Sequence, residues 1–114
     1  MVSREDIIGA LNRWIELVKN PEIADEFRGY NKIFQLSFPD IQFDVQMVFK
    51  DGTAKLVEGK VANPDMSMTV KSDLFMGIAR GEINPMEAFM EGKIKPKGDM
   101  ADLEKLQVFM DVNE

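Results

Sequence analysis

An α+β fold is what this sequence predicts, and three observations carry the prediction. Apolar residues recur at helical spacing over the first eighteen positions. The period changes to two between Phe34 and Leu56. Two further strand-like runs then alternate with short helical segments, each opened by a capping residue or closed by glycine. Together they describe one domain over residues 1–114, a five-stranded, mostly antiparallel sheet with helices packed on one face.

The first helix opens on Ser3, an N-cap residue with Asp6 three positions on. Ile7, Leu11, Trp14, Ile15 and Val18 form its apolar stripe, and Asn20-Pro21 ends it. Pro21 starts a short second helical piece through Ile23, Ala24 and Phe27, stopped near Gly29.

Strand patterning follows. Phe34, Leu36 and Phe38 alternate with Gln35 and Ser37; Ile41, Phe43, Val45, Met47 and Phe49 alternate with Gln42, Asp44 and Gln46. Pro39-Asp40 reads as a tight turn and Asp51-Gly52 as a two-residue hairpin loop. These loops set Phe49 opposite Ala54, Met47 opposite Leu56, Phe43 opposite Leu36 and Val45 opposite Phe34. Cross-strand partners share a face, so the meander has one apolar and one polar side.

Asn63-Pro64-Asp65 breaks the chain before a fourth strand in which Met66, Met68 and Val70 alternate with Ser67 and Thr69. Ser72 reads as the cap of a helix with Leu74, Phe75, Ile78 and Ala79 inward and Gly81 as its stop. Asn84-Pro85 opens another helix, with Met86, Phe89 and Met90 as its apolar side and Gly92 closing it. Lys93 to Lys97 reads as a fifth strand, confined to an edge by Pro96. Asp99 caps a last helix striped by Leu103, Leu106, Phe109 and Met110.

Composition excludes several functions. The chain has neither Cys nor His, so thiolate nucleophiles, imidazole bases and Cys/His zinc sites are impossible. A net charge of −6 argues against nucleic-acid binding and against broad adhesion to anionic membranes. No apolar run reaches the ~20 residues of a membrane span, and no targeting signal is read at either end, so a cytoplasmic location is expected.

Order and spacing carry a resemblance over the second half of the chain: Asp51-Gly52, Glu58-Gly59, Asp65, Ser72-Asp73, Gly81, then Asn84 to Lys93, Lys95 and Gly98. The stretch from Asp51 to Met110 resembles the sterol carrier protein 2 family. Asn84-Pro85-Met86-Glu87-Ala88-Phe89-Met90-Glu91-Gly92-Lys93 is its most specific part. The resemblance implies a sterol-carrier-like fold with an apolar tunnel between sheet and helices, holding fatty acids, acyl-CoA, sterols or similar lipids. Family members often carry Gln where this chain has Met86, and an apolar residue where it has Pro96.

The expected function is non-catalytic carriage of an apolar lipid, with no cofactor. Candidate lining residues are Phe43, Val45, Met47, Leu74, Phe75, Ile78, Met86, Phe89, Met90, Leu103, Leu106, Phe109 and Met110. Nine methionines suit a pocket that adapts to varied ligands, or simply fill core gaps. Lys93, Lys95 and Lys97 read first as charges that protect an edge strand, and alternatively as contacts for a carboxylate, CoA phosphates or a membrane surface. Asp65 and Asp73 have structural roles in a turn and a helix start; Glu58, beside Val45, either turns outward at Gly59 or sits at a pocket rim. A lipid-like small molecule is the expected partner, with transient membrane contact or a homodimer allowed and no nucleic acid. The alternative is an interaction or dimerisation module that offers an apolar groove to a partner.

Overall fold

The computed structural model describes residues 2–98. Helix α1 spans Arg4–Val18, α2 Pro21–Ala24 with a 3-10 turn over Asp25–Phe27, α3 Ser72–Ala79 and α4 Pro85–Met90. The strands are β1 Asn31–Phe38, β2 Phe43–Lys50, β3 Thr53–Glu58, β4 Met66–Thr69 and β5 Lys95–Gly98. They form one sheet in the order β3-β2-β1-β4-β5, parallel between β1 and β4 and antiparallel elsewhere. The expected α+β class, the five strands and the mostly antiparallel pairing are all present. The expected last helix, with Leu103, Leu106, Phe109 and Met110, lies outside the described residues.

Local chemistry starts α1. The Ser3 backbone N–H donates to Asp6 Oδ2 at 2.9 Å, and the Asp6 N–H donates to Ser3 Oγ at 3.2 Å, a reciprocal capping box. The bond from the Ser3 backbone holds the Asp6 carboxyl below the usual carboxylate range. Ile7, Ala10, Leu11, Trp14 and Val18 form the buried stripe of α1. Trp14 meets Phe75 of α3 at 5.4 Å between ring centroids, and Phe75 meets Phe38 of β1 edge-on at 5.3 Å. Helices α1 and α3 are thereby tied to the apolar face of the sheet, where Phe34, Leu36, Val45, Met47 and Phe49 are buried. Each such side chain taken out of water contributes roughly 1.5–3 kcal/mol.

The β2–β3 hairpin turns at Asp51 and Gly52 with φ of 42° and 84°, the left-handed pair of a type I′ turn, and sets Phe49 opposite Ala54 and Met47 opposite Leu56 as expected. The β1–β2 loop differs from expectation. It takes in residues 39–42, so Phe38 faces Phe43, Leu36 faces Val45 and Phe34 faces Met47. Ile41 leaves the strand for the loop, which is closed by the Ile41 N–H on the Phe38 carbonyl and the Gln42 N–H on that of Pro39. Gln42 takes a φ of 51° to complete the turn. The register shifts by two residues, and a two-residue shift leaves every side chain on its original face.

Residues 59–65 lead from edge strand β3 to β4, which requires crossing β2 and β1. They cross on the polar side. The Gln35 amide donates to the Gly59 carbonyl at 3.2 Å and accepts from the Val61 N–H at 2.9 Å; Gln46 donates to the same Gly59 carbonyl. Gln35, only 3% exposed, is thus a buried polar group with its hydrogen bonds made. Glu58 pairs with Val45 in the register, yet it is exposed, because β3 is an edge strand.

Two glycines end the helices through the same mechanism. Gly81 and Gly92 both have φ of 75°. Glu82 N–H bonds to Gly77 and Lys93 N–H to Ala88, the long bond of a Schellman cap in each case. The second cap consumes Lys93, so the last strand begins at Lys95 rather than Lys93. Strand β5 lies at the sheet edge, as Pro96 requires, with Pro96 opposite Met68.

Candidate functional site

A cleft of about 530 Å³ opens beside the β4–β5 edge, where α3 begins. Its apolar wall is made by Pro39 of the β1–β2 loop, Val70, Leu74 in the first turn of α3 and Ile83 from the α3–α4 connection. Lys71, Asp73, Lys93 and Lys95 supply the charges, and Thr69 and Gly92 complete the lining. The volume falls within the range of small-molecule sites, and the pattern of an apolar wall with a few charged groups fits an amphiphile better than a purely polar ligand.

Several hydrogen bonds fix this geometry. The Val70 N–H donates to the Ser37 carbonyl at 3.1 Å, which extends the β1–β4 pairing to the cleft. Asp40 accepts from the Ser72 N–H at 2.9 Å and from the Ser72 hydroxyl at 2.6 Å. Ser72 is therefore not the cap expected from sequence. Lys71 holds the N-cap position without a side-chain bond, and the carboxylate comes from the β1–β2 loop instead. Those bonds, the hydroxyl's foremost, hold the Asp40 carboxyl below its ordinary value. Asp73 binds the Leu74 N–H at 2.9 Å, the expected structural role at a helix start. Asp65 accepts from the Ile33 N–H at 2.8 Å and so anchors β1, again structurally.

The candidate lining residues fall into groups. Phe43, Val45, Met47, Phe75 and Ile78 lie together in the buried core cluster between sheet and helices. Leu74, half-buried, packs against that cluster and also faces the cleft, so it joins the two. Met86 lies in α4. Phe89 and Met90 are 48% and 79% exposed, which corrects the expected apolar side of α4. Ala88 takes the buried position of α4 instead, and Phe89 and Met90, one and two residues further round the helix, are turned away from it. Leu103, Leu106, Phe109 and Met110 lie outside the described residues. Sequence reasoning missed Pro39, Val70, Lys71 and Ile83, whose common site depends on long-range packing and leaves no local signal.

Among the described residues, no group of three or more Asp or Glu side chains is placed to hold a metal ion, and no helix is long and apolar enough to cross a membrane. The profile of the SCP-2 sterol transfer family matches residues 11–111. The chain belongs to the SCP-2 sterol transfer family. Non-specific lipid-transfer protein-like 1 of Caenorhabditis elegans is 38% identical over 47 residues, 41% of this chain and 40% of that protein. The palmitated SCP2L2 of Aedes aegypti shares the fold with a TM-score of 0.69 at 23% identity, covering 89% of this chain and 90% of that one. The sec-alkylsulfatase Pisa1 of Pseudomonas sp. is similar over 78% of this chain but only 14% of its own, with a TM-score of 0.64 and 20% identity. The SCP-2 fold thus occurs both as nearly a whole chain and as a small part of a much longer enzyme.

Proposed function

We propose that this chain is a non-catalytic lipid carrier whose cleft over Pro39, Val70, Leu74 and Ile83 receives an acyl chain or a similarly apolar body. The observation that supports this most is the joining of an apolar wall to charged groups in one cleft of an SCP-2 family member. Binding would draw on burial of apolar ligand surface, roughly 25 cal/mol per Å², so affinity would rise with chain length. Phe43, Val45, Met47, Phe75 and Ile78 form a further candidate wall beneath Leu74, reached by a ligand that parts α3 from the sheet.

Protein purified without detergent and examined by native mass spectrometry tests the reading. A bound mass that extracts as lipid, together with displacement of an environment-sensitive fatty-acid probe by medium or long acyl chains, is the expected result. No displacement by any fatty acid, acyl-CoA or sterol up to its solubility limit would contradict it. The second reading is an interaction module. The exposed Phe89 and Met90, and the occurrence of this fold within a sulfatase, favour it. A dimer that survives dilution and carries no extractable lipid would support that reading instead.

A further inference from the structure

The charges of the cleft are out of character with the rest of the molecule. The chain carries 14 basic and 20 acidic residues, yet among the described residues the cleft is lined by Lys71, Lys93 and Lys95 against one carboxylate, Asp73. Asp73 already accepts a hydrogen bond from its neighbour's backbone, which engages part of its charge. Glu91 sits 3.2 Å from Lys93, with both side chains more than half exposed, so that pair is solvent-screened and weak. Among the described residues, neither Lys71 nor Lys95 takes part in a salt bridge; Lys71 contributes only a weak field at Asp40 across the loop. The lysines come from two separate stretches, Lys71 at the N-cap of α3 and Lys93 and Lys95 on the chain entering β5, and meet around one apolar wall. An edge strand needs no such convergence for its protection.

Resting on the carrier reading, we infer that the cleft selects lipids with an anionic head group, a carboxylate or a phosphate held at Lys71, Lys93 and Lys95, with the chain lying over Val70, Leu74 and Ile83. Ammonium groups bind such anions through charge-assisted hydrogen bonds without demanding a single geometry. Lys97, which does not line the cleft, takes no part.

The test compares palmitate, hexadecyl phosphate and hexadecanol below their solubility limits, with inorganic phosphate as a chainless competitor. The proteins are the wild type, the triple variant K71Q/K93Q/K95Q, K97Q and D73N, each checked for an unchanged circular dichroism spectrum and melting temperature. Wild type should bind both anionic lipids roughly tenfold or more tightly than the alcohol, and the advantage should shrink as salt rises from ~50 to ~500 mM. The triple variant should lose that advantage while its affinity for hexadecanol changes less than about threefold; K97Q should behave as wild type, and D73N should bind the anions about two- to threefold tighter. Equal binding of alcohol and anions by wild type, or a triple variant that keeps the advantage, overturns the head-group inference and leaves the carrier reading standing. Displacement of palmitate by inorganic phosphate at equal concentration would show an anion site without a chain site and overturn both. Failure of all three lipids to bind wild type likewise removes both.

Discussion

A β-carbon on Gly77 would run into Cδ1 of Ile83 and lie 2.9 Å from its Cγ1. Gly77 sits in α3, where glycine normally costs stability, so its presence has a packing reason: Ile83 crosses the helix there on its way to the cleft wall. Gly77→Ala should therefore destabilise the protein by about 1 kcal/mol net, overpacking of roughly 1–3 kcal/mol offset by a helix gain of 0.5–1 kcal/mol. In an Ile83→Ala background the same change should become stabilising by about 0.5–1 kcal/mol. Denaturant titrations of the four proteins check this; an equal cost in both backgrounds would mean that Ile83 is not the reason for the glycine. Positions governed by their own neighbours were legible in the sequence: Ser3 with Asp6, Asn84 opening α4, and Gly81 and Gly92 closing helices. Gly77 was not, because nothing adjacent to it calls for glycine.

Among elements, α3 depends on a partner distant in sequence. Its first turn is held by Asp40, 32 residues earlier, through the Ser72 N–H and hydroxyl. Asp40→Ala should cost about 0.5–2 kcal/mol at neutral pH, the usual worth of a helix cap. The pH dependence has a definite sign. The folded carboxyl titrates below its ordinary value of 3.8, so its contribution is complete above 3.8 and is lost as pH falls through the lower folded value. The stability gap between wild type and Asp40→Ala, followed by urea unfolding, should thus be constant down to the ordinary value and close below it. A gap that persists undiminished in strong acid would assign the loss to packing of the loop rather than to the carboxylate. Sequence alone gave this helix to Ser72, since a serine before an apolar run is the standard local signal. A cap supplied from another loop has no such signal. The strands divide the same way: the Asp51-Gly52 register was legible because the turn type is set by two residues, whereas the β1–β2 register slipped by two because Pro39-Asp40 suits several loop lengths.

For the molecule as a whole, alternation of apolar residues identified the inner face of the sheet but could not distinguish a dry core from a ligand wall, since both bury the same side chains. The cleft draws on the β1–β2 loop, the end of β4, α3, the α3–α4 connection and the chain entering β5. No stretch of sequence carries that assembly, and the net charge of −6 conceals its three lysines. Asn84 to Lys93, which carries the family resemblance most strongly, contributes Gly92 and Lys93 to the lining and Ala88 to the core. The central claim is that the cleft beside α3 holds the apolar part of a lipid. Intermolecular nuclear Overhauser effects between an isotopically labelled palmitate chain and the protein's methyl groups test it most directly. The chain protons should contact the methyls of Val70, Leu74 and Ile83. Contacts confined to Val45, Met47 and Ile78, with none to those three residues, would place the lipid in the interior between sheet and helices and contradict a cleft-bound chain.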